Sequence, residues 1–391
     1  MSVHRPVRLG DIAESIDYGV TASASSKPIG PKFLRITDIQ DGTVDWNTVP
    51  WCECDARSAS DARLKSGDIV FARTGATTGK SFLIRDCPDD TVFASYLIRV
   101  RLSTPVDPRF VSHFFQTPRY WAQITKSARG VAQPGVNATT LKELQIPLPP
   151  LPEQRRIAEI LDKADALRAK RRAALAQLDE LTQSIFLDMF GDPGTNPRGW
   201  PVAPLMSLCT RVTDGTHQPP PWSSIGHPFL FVSNITSGEL NFDTTKFISD
   251  ETHAELMRHC PIELGDVLYS TVGSYGVPAL VRNNRKFAFQ RHIAHLKPNR
   301  EIIEPEFLRV MLASPPLKRQ ADRVARGIAQ KTVNLADIRK FVVFKPPLEA
   351  QRALVERVST IRRLHGMHRG SLASCDALFA SLQHGIFRGE L

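Results

Sequence analysis

The chain contains two related halves, and this internal repeat limits its possible folds more than any other feature. Residues 129–155 and residues 326–352 align without a gap at an offset of 197, and 11 of their 27 positions are identical. Each segment reaches a Pro-Pro-Leu step and continues into a long stretch with a helical pattern. The period is far longer than that of a solenoid or propeller repeat, so it indicates the duplication of a whole domain.

Length and charge agree with two domains that bind a polyanion. A chain of 391 residues exceeds one ordinary core and fits two domains with extensions. The net charge is +10, and the two long helical stretches hold only +2 of it, so +8 lies on the globular repeats. Excess positive charge on a domain is typical of proteins that bind nucleic acid.

The sequence shows no pattern of secretion or membrane insertion. It has no apolar run of about 18 residues, and its first segment, MSVHRPVRLGDIAES, lacks the pattern of a signal peptide. The six cysteines do not recur at the repeat offset, so we expect reduced thiols rather than a duplicated disulfide framework. We therefore expect a cytoplasmic protein that does not contact a membrane.

Matching motifs predict mixed strand and helix in both globules. Gly67-Asp68 and Gly265-Asp266 predict turns into buried strands, because aliphatic residues follow each of them. Acidic residues before proline predict two helix starts, at Asp107-Pro108 and Glu304-Pro305. We expect these helices to end at the prolines that follow in register, Pro118 and Pro315.

Two long helices are predicted after the globules. No Gly or Pro occurs from Glu153 to Phe190, and apolar residues recur there at a spacing of three to four. A matching stripe runs through residues 354–386, which predicts a coiled coil. Gly366 and Gly370 interrupt the second helix and weaken it. Residues 191–200 are rich in turn formers, so we expect the chain to reverse there and the helices to pack antiparallel.

The sequence contains no catalytic constellation. Residues 75–81, GATTGKS, are one residue short of a phosphate-binding loop, and the second copy has no lysine there. A glycine-permitted loop between two strands is the favoured interpretation. Motifs for a nuclease, an amino-methyltransferase, a dinucleotide site and a zinc site are also absent. We therefore expect a non-catalytic reader or scaffold with no cofactor and no metal.

The ordered, duplicated motifs resemble those of the specificity subunits of type I restriction–modification enzymes. These motifs are the Gly-Asp turn and strand, the R-G-x-A-Q…N segment, the Pro-Pro-Leu-x-x-Gln-Arg helix start and the Phe-Gly-Asp-Pro sequence at residues 190–193. The resemblance implies an α+β protein in which two tandem-repeated globular α/β target-recognition domains are separated by two long helices forming an antiparallel coiled coil.

The implied domains follow the motif boundaries. Residues 1–150 and 201–347 correspond to the two target-recognition domains, residues 151–190 and 348–391 to the spacer helices, and residues 191–200 to a linker. The resemblance implies that each domain reads one half of a split sequence in double-stranded DNA. It also implies that the helices dock two modification subunits, which methylate adenine with S-adenosylmethionine, and that restriction subunits join the complex.

Two sets of polar residues are candidates for DNA contact. Residues shared by both copies are expected to position phosphates. Domains that recognise different half-site sequences, or words, should differ at the residues that contact bases. This set is Arg129, Gly130, Gln133, Asn137, Arg326, Gly327, Gln330 and Asn334. A purely structural role, in which Asn and Gly shape a turn before the helix, stays equally open. The residues that differ between the copies are the candidates for base contact: Arg73, Thr74, Lys80, Ser81, Tyr96, Ser270, Thr271, Tyr275, Gln290, Arg291 and Lys331.

Two other functions remain open from the residues alone. The first is a scaffold whose helices assemble proteins and whose globules do not read DNA. The second is an enzyme that uses residues 75–81 on a nucleotide. The charge on the globules and the divergent loops favour DNA recognition over the scaffold.

Overall fold

The computed structural model describes residues 5–40, 42–127, 135–258 and 261–388. The chain divides into two compact units. Unit 1 consists of Met1–Arg172 and Gly370–Leu391, and unit 2 consists of Ala173–Arg369. Each unit therefore takes one half of each long helix. In the part of the chain that the structure describes, no helix is both long and apolar enough to cross a membrane.

Unit 1 is a mixed strand and helix globule. Its strands are β1 (Pro6–Arg8), β2 (Ala13–Tyr18), β3 (Ala24–Ser25), β4 (Lys32–Leu34), β5 (Ile39–Gln40), β6 (Thr43–Val44), β7 (Trp51–Cys52), β8 (Ile69–Ala72), β9 (Ser81–Leu83), β10 (Thr91–Phe93), β11 (Leu97–Leu102) and β12 (Gln145–Pro147). Its helices are α1 (Leu9–Ile12), α2 (Ala56–Asp61), α3 (Pro108–Phe114), α4 (Pro118–Ser127) and α5 (Ala138–Lys142), followed by the start of α6 (Leu151–Phe190).

Unit 2 contains the second set of elements. Its strands are β13 (Val202–Pro204), β14 (Cys209–Asp214), β15 (His227–Leu230), β16 (Phe247–Ile248), β17 (Val267–Ser270), β18 (Pro278–Leu280), β19 (Ala288–Phe289), β20 (Ile293–Pro298) and β21 (Val342–Phe344). Its helices are α7 (Asp250–Met257), α8 (Pro305–Leu312), α9 (Pro315–Val324) and α10 (Leu335–Ile338), followed by the start of α11 (Leu348–Arg388).

The main antiparallel sheet has the same strand order in both units. In unit 1 the antiparallel order is β2–β11–β8–β9, and in unit 2 it is β14–β20–β17–β18. Each unit also has a parallel pair, β4 with β10 and β15 with β19. A further antiparallel pair brings the first strand of each globule beside its last, β1 with β12 and β13 with β21. The internal duplication that the sequence predicts is therefore confirmed in the fold.

The Gly-Asp motif forms the predicted turn in both units. Gly67 and Gly265 have φ angles of +92° and +91°, which favour glycine. The buried Asp266 carboxylate accepts the Glu263 backbone N–H at 2.7 Å, and it also contacts the His295 ring at 2.6 Å. Burial raises the pKa of Asp266, but its hydrogen bonds and the nearby charges outweigh burial and hold the pKa below its usual value. In each unit the motif closes the turn that leads into a strand, which is β8 in unit 1 and β17 in unit 2.

The acidic-proline motifs start helices α3 and α8, as predicted. The Asp107 carboxylate accepts the Arg109 N–H at 2.9 Å and so caps α3. The following prolines have a different role from the one expected. Helices α3 and α8 already end at Phe114 and Leu312, and Pro118 and Pro315 begin α4 and α9. Proline at a first helical position lacks only an N–H that would have had no helical partner.

The long helices contribute to the core of each unit. In unit 1, Ile157 and Leu161 of α6 pack in one buried cluster with Phe379 and Phe387 of α11. In unit 2, Phe186 and Phe190 of α6 lie in the same cluster as Leu354 and Val358 of α11. The apolar stripes therefore pack against the globules as well as along the helices. Helix α11 continues through Gly366 and Gly370, because packing at its two ends overrides their low helix propensity.

The two helix segments of unit 1 run antiparallel. The Arg168 guanidinium lies over the Phe379 ring at 4.3 Å and donates to the Asp376 carboxylate at 2.6 Å. One turn further along α6, Arg172 reaches the same Asp376 at 3.5 Å. Residues later in α6 therefore contact residues earlier in α11, as in an antiparallel pair.

A buried glutamine fixes each long helix to its globule. The Gln154 side chain accepts the Asp107 N–H at 2.9 Å and donates to the Pro149 carbonyl at 2.8 Å. In unit 2, Gln351 accepts the Glu304 N–H at 2.8 Å and donates to the Pro346 carbonyl at 2.7 Å. Both side chains are buried, so their amides satisfy backbone groups that water does not reach. This is the structural role of the glutamine repeated after each Pro-Pro-Leu step.

We predict that Gln351→Ala lowers the free energy of unfolding of unit 2 by about 2–3 kcal/mol, because buried backbone groups lose their partners. Urea denaturation of the full chain measures the effect. Gln177→Ala is the matched control, since Gln177 is exposed on α6 and its loss should change stability little. Equal stability of the two variants would contradict the anchoring role.

Candidate nucleic-acid interface

Several of the predicted contact residues line one cleft of unit 2. Thr271 follows β17, Arg291 lies in the turn before β20, and Gln330 and Asn334 precede α10. The cleft has a volume of about 320 Å³, and Asp214 and His292 also line it. Residues that are distant in sequence thus meet at one surface, as expected of a binding site.

A hairpin loop forms one wall of this cleft. The Arg326 N–H donates to the Thr332 carbonyl at 2.9 Å, and the Thr332 N–H donates back to the Arg326 carbonyl at 2.8 Å. Gly327 has a φ of +114°, and a Cβ there would collide with the Gln330 carbonyl oxygen. The Gly273 N–H donates to the Lys331 carbonyl at 3.0 Å, which ties the loop to the segment after β17. The loop therefore has a defined backbone and requires glycine.

The polar side chains of this loop face solvent. Arg326, Gln330 and Lys331 are exposed, and the Arg326 guanidinium lies 3.8 Å from the Asp337 carboxylate. In the cleft, the Arg291 guanidinium lies 3.3 Å from the His292 ring nitrogen. Burial, and then the charge of Arg291, lower the pKa of His292. His292 is therefore neutral at pH 7, and the positive charge on this side of the cleft belongs to arginine and lysine.

Three of the predicted unit 2 contacts are buried and shape loops. The Ser270 hydroxyl is fully buried, donates to the Ser274 carbonyl and accepts the Val277 N–H. Thr271 is also buried, although it borders the cleft. The Lys318 ammonium lies 3.5 Å from the centre of the Tyr275 ring, and the Tyr275 hydroxyl donates to Asp322 at 2.7 Å. This hydrogen bond raises the pKa of Tyr275.

In unit 1 the predicted contacts surround the end of β8. Arg73, Thr74 and Lys80 are exposed on the loop from β8 to β9, and Tyr96 is 39% exposed. The Arg73 N–H donates to the Tyr96 carbonyl at 3.1 Å, which brings the two residues together. Burial raises the pKa of Tyr96, so its hydroxyl stays protonated and can donate a hydrogen bond.

Sequence reasoning missed Tyr18. The Tyr18 ring is 43% exposed, the Arg73 guanidinium lies 5.1 Å from its centre, and its hydroxyl accepts the Ala138 N–H at 3.0 Å. Asn137 is exposed, and its side chain caps α5 by accepting the Thr140 N–H at 2.8 Å. Asn334 stands at the start of α10 without a side-chain cap. The turn-shaping role therefore holds for Asn137.

The other predicted residues are placed as follows. Ser81 begins β9 and is partly exposed, and Gln290 is partly exposed after β19. Arg129, Gly130 and Gln133 lie outside the described residues.

Strand pairing shows which residues of the two surfaces are equivalent. Leu97 pairs with Ala72 in unit 1, and Ile293 pairs with Ser270 in unit 2. Arg73 therefore corresponds to Thr271, and Tyr96 corresponds to His292. By the pairing of β2 and β14, Tyr18 corresponds to Asp214. A strict count of strand alternation from the Gly-Asp turn would have given this match.

Residues 75–81 do not form a phosphate-binding loop. They connect the antiparallel strands β8 and β9, whereas a phosphate-binding loop of this type leads from a strand into a helix. Gly75 and Gly79 have φ angles of +82° and +84°, as a tight connection requires. Among the described residues, no cluster of three metal-binding side chains occurs.

Comparison with known proteins agrees with this geometry. Residues 4–177 match the family model of the type I restriction modification DNA specificity domain. The chain is 27% identical over 315 residues to the EcoBI specificity subunit of Escherichia coli, covering 72% of this chain and 65% of that protein. It is 26% identical over 418 residues to the putative MjaX specificity subunit of Methanocaldococcus jannaschii, covering 98% and 92%. The chain is therefore similar to type I specificity subunits, through residues 4–177 by the domain model and over nearly its whole length by the MjaX protein.

Solved structures show the same fold. The type I restriction–modification S subunit from M. genitalium aligns with a TM-score of 0.59 at 13% identity, over 98% of this chain and 95% of that chain. A chain from a study of complex assembly and conformational transition in a type I system aligns with a TM-score of 0.56 at 22% identity, over 100% and 99%. Proteins of the specificity-subunit family recognise DNA target sequences, and the scaffold alternative is not favoured.

We predict that Gly327→Ala distorts the hairpin loop between Arg326 and Thr332. The free energy of unfolding should fall by about 1–3 kcal/mol, because alanine does not tolerate the backbone conformation of Gly327. Hydrogen exchange of the Thr332 amide should accelerate. Gly366→Ala is the control, since its Cβ would meet open space in a helix, and it should stabilise the chain by about 1 kcal/mol. Unchanged exchange at Thr332 would contradict the strain.

Proposed function

We propose that this chain reads a bipartite sequence in double-stranded DNA, one short word for each unit. The observation that carries the proposal is a common fold with different side chains at matching surface positions. Tyr96 corresponds to His292 and Tyr18 to Asp214, each beside the end of β8 or β17. Two copies of one scaffold that differ in their exposed polar groups can hold two different words.

We divide the candidate contacts by their exposure. Arg73, Tyr96 and Arg291 are exposed at the two surfaces and differ between the copies, so they are the proposed base contacts. The cations Arg326 and Lys331 are proposed to hold phosphates, which positions the DNA without reading it. The same role is proposed for Arg129, Gly130 and Gln133 of the first copy. Ser270 and Tyr275 are proposed to support the surface from inside rather than to touch DNA.

The long helices are proposed to form an antiparallel coiled coil that sets the gap between the two words. Helix α6 has 40 residues and α11 has 41, which corresponds to about 60 Å at 1.5 Å per residue. Half-sites one turn of DNA apart are separated by about 34–36 Å. Helices of this length are sufficient to keep two reading surfaces at such a separation.

Catalysis is proposed to belong to partner subunits. Two modification subunits would dock on the helices and methylate adenine with S-adenosylmethionine, and restriction subunits would join this complex in the cytoplasm. The curated relatives are specificity subunits, and one structural neighbour comes from a study of type I complex assembly. In this arrangement the chain determines which DNA sequence the complex recognises.

We predict that selection from a random duplex library by the chain with its modification subunits, at fixed salt, enriches two words at a constant gap. Arg291→Ala should relax one position of one word and weaken binding to it by about 1–3 kcal/mol. Arg73→Ala should relax a position of the other word only. Sequencing of the retained DNA measures both effects.

Arg57→Ala is the control, because Arg57 is an exposed arginine that pairs with Asp61 of its own helix, α2. It should leave both words unchanged. Retention of DNA without any enriched word, or no retention at all, would contradict sequence recognition and favour the scaffold function.

A further inference from the structure

An isoleucine stands fully exposed on the hairpin loop between Arg326 and Thr332. The Ile328 side chain has no shielding from the rest of the described chain. A single exposed apolar residue is common on protein surfaces and requires no explanation by itself. Ile328 is distinguished by the backbone that holds it and by the residues around it.

The backbone under Ile328 is fixed. The reciprocal bonds between Arg326 and Thr332 close the loop, and the Val333 N–H donates to the Thr271 carbonyl at 2.9 Å. Together with the Gly273–Lys331 bond, these contacts attach the C-terminal side of the loop to the segment that follows β17. The side chain therefore projects from a prearranged support, so little conformational freedom is lost when it inserts into a partner.

The neighbours of Ile328 are suited to DNA. Arg326 and Lys331 are exposed cations on the same loop, and the exposed amide of Gln330 can bond to a base edge. The loop also borders the cleft that contains Arg291. An apolar tip with cations on both sides fits a surface of stacked bases between two rows of phosphates.

The first copy has the same pattern in its sequence. Val131 aligns with Ile328 at the repeat offset, between Arg129 and Gln133. Both residues are β-branched and apolar in otherwise polar or small surroundings. Val131 lies outside the described residues, so the structural argument concerns Ile328 alone.

We propose that Ile328 is an apolar wedge that inserts between base pairs of the half-site bound by unit 2. This inference rests on the proposed DNA-reading function and assigns a residue to it. Insertion of an isoleucine partly unstacks one base step and bends the duplex there. The cations of the loop hold the phosphates beside the step while the side chain enters the stack.

The test uses the chain with its modification subunits and a duplex that contains the two selected words. Binding affinity is measured at two salt concentrations. Energy transfer between dyes on the duplex ends reports bending. The base analogue 2-aminopurine, placed in turn at each step of the unit 2 word, reports unstacking by its fluorescence.

We expect Ile328→Ala to weaken specific binding about tenfold, because burial of its lost methylene groups no longer contributes. The bend and the fluorescence increase at one step should be lost, whereas the salt dependence of binding should stay the same, since no charge is removed. Ile328→Val should retain most of the effect. Ile225→Ala is the matched control, because Ile225 is 78% exposed in unit 2 and does not line the cleft.

Wild-type affinity, bend and fluorescence in Ile328→Ala would overturn the wedge. Weaker binding without a change in bend or fluorescence would also overturn it, because it would indicate a groove contact without insertion. In either case the unchanged enrichment of both words by the parent chain would leave the proposed function standing. Hydrogen exchange of the Thr332 amide in each variant verifies that the loop remains folded.

Discussion

The rest of the architecture depends on the buried side-chain amide at the start of each long helix. Gln154 and Gln351 bond in the same way to the backbone before a short helix and to the carbonyl before their own helix. An amide in this position fixes the direction in which the helix leaves its globule, because any other direction would leave buried donors and acceptors unpaired. The glutamine is therefore repeated in the sequence because each copy connects a long helix to its globule in the same way.

The duplicated halves do not fold as two separate segments of sequence. The core of unit 1 includes Phe379 and Phe387 from the end of the chain, and that of unit 2 includes Phe186 and Phe190, which come before the second globule. Each unit therefore completes its core with aromatic residues from a helix that begins at the other globule. A chain cut at residue 200 would expose those rings, so both halves are needed for either core to be buried.

The sequence predicts the elements better than it predicts which side chains are accessible. The Gly-Asp turn, the capped start at Asp107 and the helix patterns depend on local rules, and each is visible in a few residues. Burial of Tyr275 depends on how its loop folds back onto Lys318 and Asp322 of helix α9, and no local pattern encodes that. Tyr18 was missed because its role arises from Arg73, which is distant in sequence.

Insertion of seven residues into both helices tests most directly whether the chain holds two independent readers at a set distance. The insertions follow Arg172 and precede Gly370, where the two units meet along the chain, and a heptad keeps the apolar stripe in phase. Each helix gains about 10.5 Å, or about three base pairs of duplex. Library selection should return the same two words with a gap longer by about that amount. An unchanged gap, or different words, would contradict the account.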